Sequence, residues 1–432
     1  MAPNSVNSPL LTASGPIDAS VFVPGSKSIS NRALICAALA SGSSHVVNVA
    51  PGDDTARMLD CLASIDVRVD IEESSVRIEG CDGEVRGGTE LNAGLAGTTS
   101  RFMTAVAALG PEPTTITGEP ALCRRPMGDL HSALRALGAR VESLEEADRL
   151  PVRLHRGDLH GGTVGVRGDV SSQFLTALML IGPYLDGGLE VELTTPLISK
   201  PYVTMTSRVM SAFGVRGVTI DETRVCIPEG RYVGAEFEVE PDASSASYPL
   251  AAAAITGGTV LVHGLRRDSL QGDIRILEIL EEMGCRVETS SGSCALVRSG
   301  ALSGIDIEMS DVSDLVPTIA VVALFAASPT RIRNVGFIRG KESDRIGDLV
   351  SGIEAIGGHA VEYADGLEIF PLESVPVEPI MMDTHHDHRL AMAWSLIALE
   401  RQSVTIDVPN VVDKSWPQWW TVRETIRRSS IH

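Results

Sequence analysis

The stretch Thr163-Val164-Gly165-Val166-Arg167-Gly168-Asp169-Val170-Ser171-Ser172-Gln173-Phe174-Leu175-Thr176 alternates in character up to Arg167, turns through Gly-Asp-Val-Ser-Ser, and then opens an apolar run. Alternation with period two reads as a half-buried strand, and Asp or Ser directly before an apolar run reads as a helix start. The same succession recurs twice. Residues 236–240 lead into Asp242-Ala243-Ser244-Ser245, and residues 305–309 lead into Asp311-Val312-Ser313-Asp314, with starts 73 and 69 residues apart. Steps of 72 residues reach Gly97-Thr98-Thr99-Ser100 and Gly25-Ser26-Lys27-Ser28 on one side and Asp383-Thr384-His385-His386 on the other, making six copies.

A second feature repeats with them: a helical segment that ends in Gly138, Gly214, Gly284 or Gly357 and runs into a strand. Glycine suits the left-handed residue that terminates such a helix. Each unit thus reads as strand, polar turn, helix, strand, second helix and a closing pair of short strands. The period is too long for a solenoid, so the expected architecture is α/β, with two globular domains of three units each. Crossovers near residues 23–26 and 240–243 assign residues 1–24 plus 242–432 to one domain and 25–241 to an inserted second one. Six equivalent helix N-termini, gathered at one end of each domain, would make an electropositive cleft where the domains meet.

The chain has 432 residues, 44% hydrophobic and 21% charged, with a net charge of −20. Such acidity argues against nucleic acid as a partner, and no apolar run is long enough to span a bilayer. Seven scattered cysteines without a C-x-x-C pair suggest reduced thiols, with neither disulfide nor structural zinc. The first basic residue is Lys27, which fits neither a signal peptide nor a transit peptide. The expectation is a cytoplasmic protein.

Anionic ligands therefore need locally gathered cations. Pro24-Gly25-Ser26-Lys27-Ser28-Ile29-Ser30-Asn31-Arg32 sets hydroxyls and two cations at a helix start, an anion cradle by its chemistry. It matches the end of a P-loop, but the G-x-x-x-x-G-K-[ST] spacing fails. Further cations stand in turns: Arg101, Arg124, Arg125, Lys200, Lys341 and Arg345. The run His385-His386-Asp387-His388-Arg389 offers imidazoles, but adjacent ligands on one turn suit a metal poorly. No metal and no cofactor are expected.

In order along the chain, Pro24 to Arg32, Ala96-Gly97-Thr98-Thr99-Ser100-Arg101-Phe102, Arg125-Pro126, Ser171-Ser172-Gln173-Phe174, Ser199-Lys200-Pro201-Tyr202, Lys341-Glu342-Ser343-Asp344-Arg345, Asp387-His388-Arg389 and Lys414 closely resemble the signatures of the 5-enolpyruvylshikimate-3-phosphate synthase family. The resemblance runs nearly end to end. It implies the two-domain enolpyruvyl transferase-like fold, an inside-out α/β barrel with three pseudo-symmetric βαβαββ units per domain and the active site in the interdomain cleft. It also implies transfer of the enolpyruvyl group of phosphoenolpyruvate to the 5-hydroxyl of shikimate 3-phosphate, with release of phosphate, by a monomer acting on these two small molecules.

By the same resemblance, phosphoenolpyruvate meets Lys27, Gly97, Arg125, Gln173, Arg345, Arg389 and Lys414. Shikimate 3-phosphate meets Lys27, Ser28, Arg32, Ser171, Ser172, Gln173, Ser199, Tyr202, Asp314 and Lys341. Asp314, Glu342, Lys27 and Lys414 are the implied catalytic groups, with Asp314 near the attacking hydroxyl and Glu342 near C3. From its place in the repeat, Asp314 also reads as a helix N-cap. Gly97 lies where the family's herbicide, glyphosate, takes the place of phosphoenolpyruvate. Leu95 and Phe337 depart from the family pattern, each standing where an Asn is common. The rival is the sister enzyme that transfers enolpyruvyl to UDP-N-acetylglucosamine with a loop cysteine, for which Cys123 would be the counterpart.

Overall fold

The computed structural model describes residues 10–13, 15–290, 292–298, 300–373, 379–400 and 404–430. The chain forms two compact units, one built from the segment up to Pro24 together with the chain from Pro241 onward, the other from Gly25–Glu240.

In the Gly25–Glu240 unit three four-stranded sheets share one topology. Strand Glu90–Asn92 lies parallel to Thr114–Thr117, which pairs antiparallel with Val152–His155, and this pairs antiparallel with Arg140–Ser143. Gly162–Val166, Leu189–Leu193, Arg224–Ile227 and Thr219–Ile220 repeat that order. In the remaining sheet the parallel edge strand is Glu236–Glu238, beside Ser43–Val47, Ser75–Glu79 and Arg68–Glu72. The strand that precedes the Asp242 turn in sequence therefore closes the sheet of the first repeat.

Its expected place is taken from the other end of the chain. Asp18–Val21 runs parallel to Thr259–His263 in a sheet completed by Ser293–Val297 and Arg286–Ser290. A second sheet of that unit holds Asp306–Glu308, Thr330–Arg333, Gly366–Ile369 and Ala360–Tyr363. The sixth repeat is shorter: among the described residues Ile380–Met382 pairs with Val404–Ile406 in a two-stranded sheet, and the chain continues through the turn Pro409–Lys414 into helix Trp419–Arg428. Where the chain changes unit its ends are held locally. Ser26 N donates to Glu240 O at 2.8 Å in one unit, and Asp242 N donates to Pro24 O at 2.8 Å in the other. Gly25 is required there, since a Cβ would lie 1.7 Å from the Asn48 carbonyl oxygen.

The six polar turns all open helices: Lys27–Leu39, Gly97–Ala107, Ser172–Ile181, Ala243–Thr256, Val316–Ala323 and His388–Glu400. These helices are buried almost all round, Ala243–Thr256 along its entire length. That explains why their sequences show little amphipathic patterning, for a helix apolar on every face has no side to give to water. The second helices, such as Asp53–Ser64 and Gly128–Ala136, bury one face and expose the other. They end as the glycine pattern predicts, with Gly138, Gly214, Gly284 and Gly357 at φ of +95°, +95°, +102° and +77°. In the first repeat a non-glycine, Asp66, takes that position at φ +64°.

Candidate active site

In the Gly25–Glu240 unit the helix starts bring most of the expected residues together. Ser26 caps Lys27–Leu39 through its hydroxyl, which leaves Lys27 as the first helical residue. The Lys27 ammonium donates to Asp54 Oδ2 at 2.9 Å, and the Asp54 backbone carbonyl accepts from Thr99 Oγ1 at 3.0 Å. Asp54 stands in the first turn of Asp53–Ser64, where the helix dipole favours a carboxylate. From the next residue of the Gly97 turn, Thr98 Oγ1 accepts from Gln173 Nε2 at 3.3 Å, and the Gln173 backbone N–H donates to the capping hydroxyl of Ser171 at 3.3 Å.

Gly97 is packed against two guanidiniums. A Cβ there would meet Arg125 Nη1 at 2.8 Å and Arg101 Nη1 at 3.2 Å. Arg101 is fixed by bonds to Ser100 Oγ, Gly97 O and Pro126 O, whereas Arg125 is half-buried on the turn after Pro120–Cys123. Arg32 is buried with its guanidinium turned inward. It donates to Thr206 Oγ1 at 2.8 Å, Ser28 O at 2.8 Å, Thr176 Oγ1 at 3.3 Å and Tyr202 O at 3.5 Å, and it lies over the rings of Phe102 and Tyr202. Burial pulls its pKa down to about 10, so it stays cationic at neutral pH. Ser199 sits in the left-handed region at φ +57°, and its carbonyl accepts from Tyr202 N at 3.1 Å.

The other unit holds a denser cluster. Arg345, 1% exposed, donates from Nε to Asp387 Oδ2 at 2.7 Å, from Nη1 to Asp314 Oδ1 at 3.0 Å and from Nη2 to Glu342 Oε2 at 2.9 Å. Arg389 Nη2 donates to the second oxygen of Asp314 at 2.7 Å. Asp387 also accepts from the Arg389 backbone N–H at 2.8 Å, so one carboxylate ties the start of helix His388–Glu400 to the Arg345 guanidinium. Lys341 ends the turn Gly336–Gly340, and Lys414 is buried at the end of Pro409–Lys414, which packs on His388–Glu400. The N-cap reading of Asp314 is corrected: helix Val316–Ala323 has Leu315 at its N-cap without a side-chain bond, and the Asp314 carboxylate serves the two arginines instead.

The charges explain the protonation states. Burial pushes the Asp314 carboxyl up, but Arg389, Lys341 and Arg345 outweigh both burial and the repulsion of Glu342 and hold it well below the usual carboxylate range. Burial disfavours the Arg345 cation, yet Asp387, Glu342 and Asp314 more than compensate, and its pKa is raised. Phe337, in the turn before Lys341, packs on the hydrophobic core, and Leu95 is 40% exposed. Among the described residues no helix is long and apolar enough to cross a membrane.

A model of the family EPSP synthase (3-phosphoshikimate 1-carboxyvinyltransferase) matches residues 11–422. The chain belongs to the EPSP synthase family. A 3-phosphoshikimate 1-carboxyvinyltransferase of Vibrio cholerae is 40% identical over 413 residues, which cover 94% of this chain and 96% of the relative. One of Nostoc is 38% identical over 410 residues, with the same coverage. An EPSP synthase structure from Acinetobacter baumannii superposes with a TM-score of 0.78 at 25% identity, covering 98% of each chain. The two-domain enolpyruvyl transferase fold expected of the family is the fold of this chain. The reading as the UDP-sugar enzyme is not favoured, and the Cys123 thiol donates to Gly118 O at 3.3 Å.

The resemblance to EPSP synthases brought in most of the cations together with Asp314 and Glu342, and left out other residues that set them. Asp54 and Asp387 are absent from the expected site, as are Arg101 and Asp273. A signal for two of them exists in the repeat. Gly128-Asp129, Gly272-Asp273 and Gly347-Asp348 each place an Asp near the start of a second helix, as Gly52-Asp53-Asp54 does in the first repeat.

Proposed function

We propose that this chain transfers the 1-carboxyvinyl group of phosphoenolpyruvate to the 5-hydroxyl of shikimate 3-phosphate and releases phosphate. The observation that carries the reading is the pair of buried guanidiniums, Arg345 and Arg389, converging on the two oxygens of Asp314. Planar forks of this kind suit carboxylates and phosphates, and here they hold the carboxylates of Asp314, Glu342 and Asp387.

Phosphoenolpyruvate takes Arg345, Arg389, Lys414, Lys27, Arg125 and Gln173, with Gly97 leaving room beside Arg125. Shikimate 3-phosphate takes Ser28, Arg32, Ser171, Ser172, Gln173, Ser199, Tyr202 and Lys341. The 5-hydroxyl oxygen bonds to C2 of phosphoenolpyruvate while its proton passes to a base and a proton adds to C3. The tetrahedral adduct then loses a proton from C3 and phosphate from C2. Asp314 is the base for the hydroxyl, Glu342 serves C3, and the Lys27 and Lys414 ammoniums assist proton transfer and phosphate departure.

Asp314 alone is too weak a base, because its cations hold it ionised. Substrate anions that neutralise Arg345 and Arg389 raise its basicity at the moment it is needed. The protein acts as a monomer in the cytoplasm. Phosphate release from phosphoenolpyruvate should require shikimate 3-phosphate and not proceed with UDP-N-acetylglucosamine. Release with the UDP-sugar instead, or none with either acceptor, refutes the reading.

A further inference from the structure

Behind the Asp314 cluster lies a carboxyl group that the proposed reaction leaves unused. Asp273, 4% exposed, stands on the turn Gly272–Arg275, which packs on the turn Ser310–Leu315 that carries Asp314 and on helix Ala243–Thr256. Its Oδ2 accepts from the Ser244 hydroxyl. Its Oδ1 is buried and has no hydrogen-bond partner among the described residues. A buried carboxylate oxygen without a donor is costly, while a neutral acid at the same place costs far less.

We propose that Asp273 is a positioning residue that acts on substrate through Asp314: it keeps a further negative charge away from the cluster in which Asp314, Glu342 and Asp387 already face Arg345 and Arg389, so that the two guanidiniums keep their attraction for an incoming anion. The inference rests on the assignment of phosphoenolpyruvate to that cluster. The groups that face Asp273 fit it. Asp242 and Ser244 come from the start of helix Ala243–Thr256, Asp314 from Ser310–Leu315 and Arg389 from His388–Glu400. On its own turn Arg275 is engaged with the Glu308 carbonyl at 3.2 Å, and Glu278 on the following helix is exposed. Burial first, and then the charge of Asp314, push the Asp273 carboxyl up to about 7, against the opposing pull of Arg389 and Ser244. Ionisation above neutral pH adds a further carboxylate to the three that already face the arginines, which weakens their hold on phosphoenolpyruvate.

The test is the KM for phosphoenolpyruvate at saturating shikimate 3-phosphate from pH 6 to 9, in wild type, Asp273→Asn, Ser244→Ala and Arg389→Lys. The ratio to wild type at each pH cancels the phosphate's own titration in this window. Wild type and Asp273→Asn should agree near pH 6. By pH 8.5 wild type should have a KM about five- to tenfold above that of Asp273→Asn, with the KM for shikimate 3-phosphate unmoved. Ser244→Ala removes a donor that favours the ionised acid, so it should shift the rise in KM to higher pH, and it decides the matter if Asp273→Asn folds poorly. A ratio that stays flat with pH, or no displacement in Ser244→Ala, overturns the proposal. If Arg389→Lys raises the KM at every pH, the substrate assignment stands on its own; if it leaves the KM unchanged, the assignment falls and this proposal with it.

Discussion

Gly97→Ala separates binding from stability within one methyl group. The new Cβ would lie 2.8 Å from Arg125 Nη1 and 3.3 Å from Arg125 Cζ, where ordinary contact begins near 3.4 Å. One of the two neighbouring guanidiniums has to move. Arg101 is held by three acceptors, so Arg125 gives way, by roughly 0.6 Å on this geometry. A charge-assisted bond of about 2.8 Å stretched by that amount leaves the useful range, at a cost of about 1.5–3 kcal/mol. That corresponds to a rise in the KM for phosphoenolpyruvate of roughly 10- to 150-fold. Gly97 is the first residue of its helix and its φ lies outside the left-handed range, so Ala suits the backbone and stabilises the fold by about 0.4–1 kcal/mol. Steady-state kinetics with each substrate varied, together with thermal melting, should show a higher KM for phosphoenolpyruvate, an unchanged KM for shikimate 3-phosphate and a Tm no lower than wild type. Glyphosate inhibition should weaken more than substrate binding. A KM for phosphoenolpyruvate within twofold of wild type refutes the steric argument, and a lowered Tm refutes the backbone argument.

Arg345→Met removes the cation shared by Asp314, Glu342 and the fully buried Asp387, and should cost about 3–5 kcal/mol in denaturant unfolding; a loss below about 1 kcal/mol would show that the carboxylates relax without it. The Asp273 carboxyl is raised above its unfolded value, so its protonation stabilises the fold fully below about pH 4, and that contribution is lost as pH climbs to about 7. Wild type should therefore lose ground to Asp273→Asn by about 1.4 kcal/mol per pH unit across that window, and a stability difference constant with pH contradicts it. Lys27→Met should abolish most turnover and lower Tm, because it removes the ammonium facing buried Asp54; adding Asp54→Asn should recover the Tm and not the activity. Cys123→Ala should retain most activity, and near-complete loss would revive a nucleophilic thiol.

The six helix starts were legible because a polar turn before a uniformly apolar run stands out in sequence. Four helix ends were legible because glycine marks the left-handed residue. The first repeat hid its end, since Asp66 adopts the same conformation with a side chain that only Asn and Asp tolerate readily. Strand partners were less visible. Asp18–Val21 and Glu236–Glu238 are both short alternating strands, and nothing local tells either to pair with Thr259–His263 or with Ser43–Val47. At the site, arginines in turns announced themselves, while Asp54 reads as an ordinary complement to a helix dipole. The N-cap reading of Asp314 failed because two guanidiniums, brought from 31 and 75 residues away, outbid a single backbone N–H.

The edge strand Asp18–Val21 gives synthesis a direction. Its partner begins at Thr259, so at ribosomal rates the emerging N-terminal segment waits roughly 10–50 s for about 240 further residues. Glu236–Glu238 and the sheet it closes are complete earlier, within Gly25–Glu240. The inserted unit is thus able to fold on the nascent chain while the strand before it is still unpaired, exposing alternate apolar residues to chaperones and to other nascent chains. The order of translation, rather than any difference in core, sets which half of this protein is born first.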